Sequence, residues 1–175
     1  MRTRVGYAGG TKKNPTYHDM GDHSESTEID FDPAKVSYAQ LLDVFWKTHS
    51  PCSRSYSRQY MSGIWTHNEE QRRIALESKA REEQRRGVKV ATEIAPLGQF
   101  TPAEDYHQKY ELRCDSELSR EFAAIYTDAQ LMNSTAAMRV NAAVGGHVPA
   151  AQLRAEIDGY GLSAKARDRL LRSAR

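Results

Sequence analysis

The chain is poor in sulfur nucleophiles: its 175 residues include two cysteines, Cys52 and Cys114, far apart in sequence. No disulfide framework or CxxC metal site can be read from such a pair, and a reducing compartment is the default for it. Long apolar runs are also missing, since nothing approaches the ~20 residues that a membrane helix needs. The opening "MRTRVGYAGG" lacks the apolar stretch of a secretory signal, so a cytoplasmic protein without membrane contact is expected. Charge of one sign is scarce too. Twenty-five Lys and Arg against twenty-three Asp and Glu leave +2, too weak for the basic field of a nucleic-acid binder. Internal repeats and low-complexity tracts are absent.

What is present alternates between strand and helix patterns. Val5 to Gly10 reads as a strand entering a turn, because Gly9 and Gly10 permit a tight reversal. After a loop, "STEIDFD" sets Thr27, Ile29 and Phe31 against Glu28, Asp30 and Asp32, the pattern of a half-buried strand stopped by Pro33. Ser37 and Gln40 form a capping box for an amphipathic helix to about His49, with Tyr38, Leu41, Leu42, Phe45 and Trp46 at helical spacing. "QYMSGIWT" reads as a strand. Thr66 and Glu69 are expected to cap a long charged helix through about Arg86, terminated by Gly87. "VKVATEIAPL" reads as a further strand, and Thr101, Pro102 and Glu104 as the start of the helix "AEDYHQKYELR". From Ser116 the composition turns helical and alanine-rich, so residues 116–175 are expected to be a helical C-terminal extension on a 1–115 α/β domain.

Several clusters invite chemistry. "GGTKK" lacks the spacing of a phosphate loop. "HDMGDHSE" offers His18, Asp19, Asp22, His23 and Glu25, but at no recognised metal-site spacing, and a polar loop is the plainer reading. Cys52 lies three residues after His49, which raises a thiol–imidazole pair; a thiolate at a helix C-terminus faces the negative end of the dipole, however, which opposes activation. Glu25 enters a strand from a loop, where aromatics could shield its carboxyl and hold a proton near neutral pH. Tyr7, Tyr17, Tyr56, Tyr60 and Tyr106 fall at element ends, where their hydroxyls can face a shared pocket.

The segments "RVGYAGGTKKNPTYHDMGDHSE", "VSYAQLLDVFWKTHSP", "RQYMSGIW" and "ATEIAPLGQFTPAEDYHQKY" follow in that order, and over about Thr3 to Tyr110 the chain resembles the A-type peptide methionine sulfoxide reductases. The resemblance implies a two-layer α/β sandwich with a mixed sheet and a ferredoxin-like core. It implies reduction of methionine S-sulfoxide, free or in oxidised proteins and peptides, by thiol or selenol attack on sulfur. No bound cofactor or metal is implied, only an external thiol reductant of thioredoxin or glutathione type, and the protein is expected to be a monomer. Residue by residue, Glu25 matches the proton-donating glutamate, Tyr7 the tyrosine of GYAGG and Tyr60 the tyrosine of the QY pair. Burial against aromatics would keep such a glutamate protonated. Ser55 aligns with a substrate-binding acidic residue that many members carry.

The family's nucleophile belongs to a GCFWG-type turn ahead of the GYAGG strand. The resemblance therefore leads to the expectation of an N-terminally truncated member without its nucleophile segment, with Cys52 as a minor candidate thiol. Removing an interior strand would expose apolar surface and leave the chain poorly folded. The alternative is a noncatalytic relative that keeps the fold and binds methionine-containing peptides.

Overall fold

A computed structural model describes residues 1–53 and 55–173. It is a mixed α/β structure whose contacts divide it into two compact units: Val5–Ala103, and Met1–Arg4 together with the chain from Glu104 onward.

The Val5–Ala103 unit carries the strands of both sheets apart from the first residues of the N-terminal strand. β1 (Arg2–Ala8), β2 (Ser24–Asp30) and β5 (Thr101–Pro102) form one in the order β2-β1-β5, and β3 (Gly63–Thr66) and β4 (Glu93–Pro96) form the other. β1 and β5 pair antiparallel, Gly6 opposite Pro102 and Tyr7 opposite Thr101. Thr101 and Pro102 thus serve as a short edge strand instead of opening a helix, a position where a proline's missing N–H is harmless. β3 and β4 are parallel, with Gly63 opposite Glu93 and Thr66 opposite Pro96. Parallel neighbours need a crossover, supplied by α2 (Glu69–Arg86). Asn68, not Thr66, caps α2 by accepting from Gln71 N, and Gly87 ends it at φ 68°. The residues before β3 differ from expectation too: Arg58–Tyr60 form a 3-10 turn capped by Ser57.

α1 (Tyr38–Thr48) has the expected capping box of Ser37 and Gln40. Its Leu42 and Trp46 pack with Ile64, Ala75 and Val90 into the core under β3 and α2. Within this core Trp46 Nε1 donates to Ser78 Oγ at 3.1 Å, and Ser78 Oγ donates to Ala75 O at 2.8 Å. A smaller cluster of Tyr7, Met20 and Ala103 lies by β1.

The other unit is helical: α3 (Tyr110–Cys114), α4 (Ser116–Ala123), α5 (Asp128–Asn133), α6 (Thr135–Val144), α7 (Ala150–Glu156) and α8 (Ala164–Ser173). Its core is continuous, from Leu112, Leu118 and Phe122 through Val140 and Leu153 to Leu170. Leu112 belongs to that core, so α3 packs with the helices that follow it. The single helix expected over "AEDYHQKYELR" is a 3-10 turn at Asp105–His107 and then α3, because Lys109 takes a left-handed conformation at φ 53°. Lys109 Nζ donates to Thr3 O at 2.5 Å and Met132 O at 2.9 Å.

Candidate functional site

One open cleft of 840 Å³ lies within the Val5–Ala103 unit. Its apolar wall includes Tyr38, Leu41, Phe45, Ile64, Trp65 and Phe100, and its polar wall Glu25, Ser55, Tyr56, Tyr60, Ser62 and His49. The elements that aim these groups follow from local sequence. α1 buries Leu42 and Trp46, which leaves Leu41 and Phe45 on the flank of the helix that meets the cleft.

β2 departs from its expected orientation. Ser24 is buried and Ser26, Glu28 and Asp30 are half-buried, whereas Glu25, Thr27 and Ile29 are exposed. The alternation is real but its faces are reversed. Ser24 Oγ donates to Arg58 O at 2.7 Å and Ser26 Oγ accepts from Trp65 Nε1 at 3.0 Å, so hydroxyl contacts hold the polar face inward. Glu25, Thr27 and Ile29 line the cleft.

Glu25 is therefore not the shielded carboxyl that was expected: it is exposed, and Oε1 accepts from Gln59 Nε2 at 2.7 Å. It is near Tyr60 all the same. The Tyr60 phenol is held above its ordinary pKa, first by partial desolvation, then by Tyr17 and by the charge of Glu25. Tyr60 is 54% exposed and Tyr56 98%, and the Tyr60 hydroxyl shares a hydrogen bond with Tyr17. Tyr7 is separated from this group: it is 1% exposed, in the cluster by β1, and does not line the cleft. Ser55 does line it, with its Oγ accepting from Ser57 N at 3.2 Å.

Cys52 is exposed and lies outside the cleft lining. His49 is engaged elsewhere: Nδ1 donates to Phe45 O at 2.6 Å and Nε2 accepts from Ser62 Oγ at 2.7 Å, while Ser62 Oγ also meets Thr92 Oγ1 at 3.0 Å. This chain ties the C-terminal end of α1 to the start of β3. Sequence reasoning noticed His49 only as a partner for Cys52, and nothing in its spacing pointed to Ser62 or Thr92.

The "HDMGDHSE" residues pin the loop that follows β1. Asp22 accepts from Thr11 N, Thr11 Oγ1 and Lys12 N at 2.8–3.0 Å, which holds its carboxyl well below the usual range. Asp19 pairs with Lys12 at 2.9 Å. Buried His23 accepts from Gly10 N at Nδ1 and donates from Nε2 to Lys12 O at 2.9 Å. Arg58 closes the arrangement, donating to Asp22 O, Gly9 O and Glu93, each at 2.9 Å. Among the described residues no group of three or more His, Cys, Asp and Glu could hold a metal, and no helix is long and apolar enough to cross a membrane.

Comparison with known proteins adds to this geometry. A family model described as peptide methionine sulfoxide reductase matches residues 1–138. A peptide methionine sulfoxide reductase of Drosophila melanogaster is 41% identical over 165 residues, covering 93% of this chain and 66% of that protein. One from Methanothermobacter thermautotrophicus is 45% identical over 121 residues, covering 63% of this chain and 72% of its own length. Among solved structures, methionine sulfoxide reductase A of Corynebacterium diphtheriae superimposes with a TM-score of 0.54 at 29% identity, covering 65% of this chain and 63% of that one. The chain spans between about half and two thirds of the length of curated relatives from fruit fly, rice and Arabidopsis, at 66%, 58% and 47%.

Proposed function

The chain belongs to the peptide methionine sulfoxide reductase family, and on that premise we propose that its cleft binds the sulfinyl group of methionine S-sulfoxide for reduction to the thioether. The supporting observation is Glu25 facing the same cleft as Tyr60, close enough for its charge to act on the phenol. In this reading a thiolate attacks the sulfoxide sulfur, the S–O bond breaks, and the oxygen leaves on the attacking sulfur as a sulfenic acid. A second thiol reduces that product to a disulfide and water. A reductant of thioredoxin or glutathione type supplies the thiols that recycle it.

Glu25 delivers the proton that the sulfinyl oxygen needs as its negative charge grows, and Tyr60 donates a hydrogen bond to the same oxygen. Ser55, which lines the cleft ahead of the 3-10 turn, contacts the substrate. Glu25 is exposed and lines the cleft, so a bound sulfoxide has direct access to its carboxyl. The described lining residues thus provide the proton-transfer half of the reaction. They include no cysteine, so the attacking thiol belongs to another group.

The test is turnover of the two epimers of a dabsyl-methionine sulfoxide with dithiothreitol, run beside NMR titration of Tyr60 by each epimer. Preference for the S epimer in both measurements is expected, with turnover down about 100-fold in Glu25→Gln. Equal responses to the two epimers, or a Tyr60 resonance indifferent to both, refute the assignment.

A further inference from the structure

The 3-10 turn Arg58–Tyr60 meets the start of β2 through two consecutive rungs. Ser24 Oγ donates to Arg58 O at 2.7 Å, and Gln59 Nε2 donates to Glu25 Oε1 at 2.7 Å. Both groups assigned to proton transfer depend on this turn: Glu25 is tied to it directly and through its neighbour Ser24, and Tyr60 is its last residue. The side chain of the first residue fixes the turn in turn. Arg58 Nε donates to Asp22 O, one terminal nitrogen to Gly9 O and the other to Glu93, each at 2.9 Å. The acceptors belong to three segments, namely the residue after β1, the approach to β2 and the first residue of β4. Each nitrogen of the guanidinium has its own acceptor, an arrangement that uses the planar fork and not the charge alone.

We propose that Arg58 is a positioning residue, whose fork holds the turn against the approach to β2 and so sets Tyr60 and Gln59 relative to Glu25. The identity of the ligand rests on the sulfoxide-reductase reading; the clamp does not.

Two observations separate this role from ordinary support. The Arg58 and Glu93 side chains are 40% and 38% exposed, and a surface ion pair of that kind adds little to folding stability. The bonds to Gly9 O and Asp22 O are exposed as well, so water can replace the guanidinium as donor at small cost. Water cannot join three segments to one turn. Loss of the fork therefore costs geometry more than stability. The second observation is that Tyr60 carries a local gauge of that geometry. Its phenol is held above the ordinary tyrosine value by partial desolvation, then by Tyr17, Glu25 and Tyr56, and each of these influences changes if the turn moves.

The test compares Arg58→Met, Arg58→Lys and Glu93→Gln in the full chain, with Gly87→Ala, outside the cleft lining, as a control for lost stability. Lysine keeps a positive charge for Glu93 but offers one nitrogen where arginine offers three; Glu93→Gln leaves both carbonyl bonds of the fork intact. Urea unfolding reads stability, the ring carbon resonances of Tyr60 read its pKa, and titration of those resonances with each epimer of N-acetyl-methionine sulfoxide methylamide reads affinity. Both Arg58 variants should lower the Tyr60 pKa toward that of an ordinary tyrosine and weaken binding of the S epimer by about tenfold, with unfolding midpoints displaced no further than in Gly87→Ala. Glu93→Gln should leave Tyr60 nearly unchanged. An unmoved Tyr60 in Arg58→Met overturns the proposal, as does full recovery in Arg58→Lys, which would reduce the role to charge. A collapse of the unfolding midpoint in both Arg58 variants, or an equal Tyr60 response in Gly87→Ala, would make Arg58 a general support and overturn it too. A Tyr60 pKa that falls as expected while the unaltered chain does not distinguish the epimers would keep the clamp and sink the sulfoxide reading. Binding selective for the S epimer in Arg58→Met, as tight as in the unaltered chain and with Tyr60 unmoved, would do the reverse.

Discussion

Gly9 offers a direct test of how the cleft is held in shape. It follows β1 at φ +80°, and a Cβ there would lie 2.3 Å from Trp65 Cζ2 and 2.4 Å from Cη2. The indole lies against this glycine while its Nε1 donates to Ser26, so Gly9→Ala attacks the backbone and the cleft wall together. The left-handed conformation costs a side-chain-bearing residue about 1–2 kcal/mol. Forcing a well-packed ring aside costs about 1–3 kcal/mol more. Gly87→Ala separates the two effects, because Gly87 has φ +68° and a Cβ added to it would meet nothing within 4 Å, so it should lose only the backbone share. In urea unfolding followed by far-UV circular dichroism, Gly9→Ala should therefore lose about 2–5 kcal/mol and Gly87→Ala about 1–2 kcal/mol. Tryptophan emission should shift to the red in Gly9→Ala alone, since Trp46 stays 4% exposed in the core and only Trp65 loses its contact. Equal losses for the two variants, with unchanged emission, would refute the packing of Trp65 on Gly9.

Three further outcomes are expected. Ser78→Ala leaves the buried Trp46 N–H without its acceptor and should cost about 1–3 kcal/mol, with the loss in a Ser78→Ala, Trp46→Phe double variant smaller than the sum; additivity in chemical denaturation would contradict the contact. The Arg85 and Arg86 guanidiniums hold the Glu82 carboxyl down at about 2 against burial. Its folded-state pKa is depressed, so its contribution is present above about 4.5 and drains away as pH falls toward 2, and Glu82→Gln should flatten the acid limb of a stability–pH curve. Burial, reinforced by Arg4 and Arg113, pushes the Lys109 amine down to about 8. The unfolded chain then binds the extra proton between about 8 and 10.5, so stability should rise with pH across that window by up to about 3 kcal/mol, a rise that Lys109→Met abolishes.

Elements set by neighbouring residues were legible in the sequence. α1 follows from Ser37, Gln40 and an apolar stripe within eleven residues, and the end of α2 from Gly87. Elements decided by distant partners were not. Thr101 and Pro102 carry good helix-start chemistry, yet β1 recruits them as a strand, and no local pattern announces a partner nearly a hundred residues away. The cap of α2 failed for a smaller reason, since Thr66 and Asn68 both suit the position and pairing of β3 through Thr66 hands the cap to Asn68.

The same limit explains the site. Resemblance named Glu25 and Tyr60, and the fold brings both to one cleft, but the alternation along β2 was read with its faces reversed. Periodicity reports that two faces differ; it cannot report which has a neighbour. On β2 that choice is made by Arg58 O and Trp65, which engage Ser24 and Ser26 and so turn Thr27 and Ile29 outward. The exposed Ile29 and the exposed Glu25 therefore lie on the one face of β2 that no local pattern announced as open, and both line the cleft.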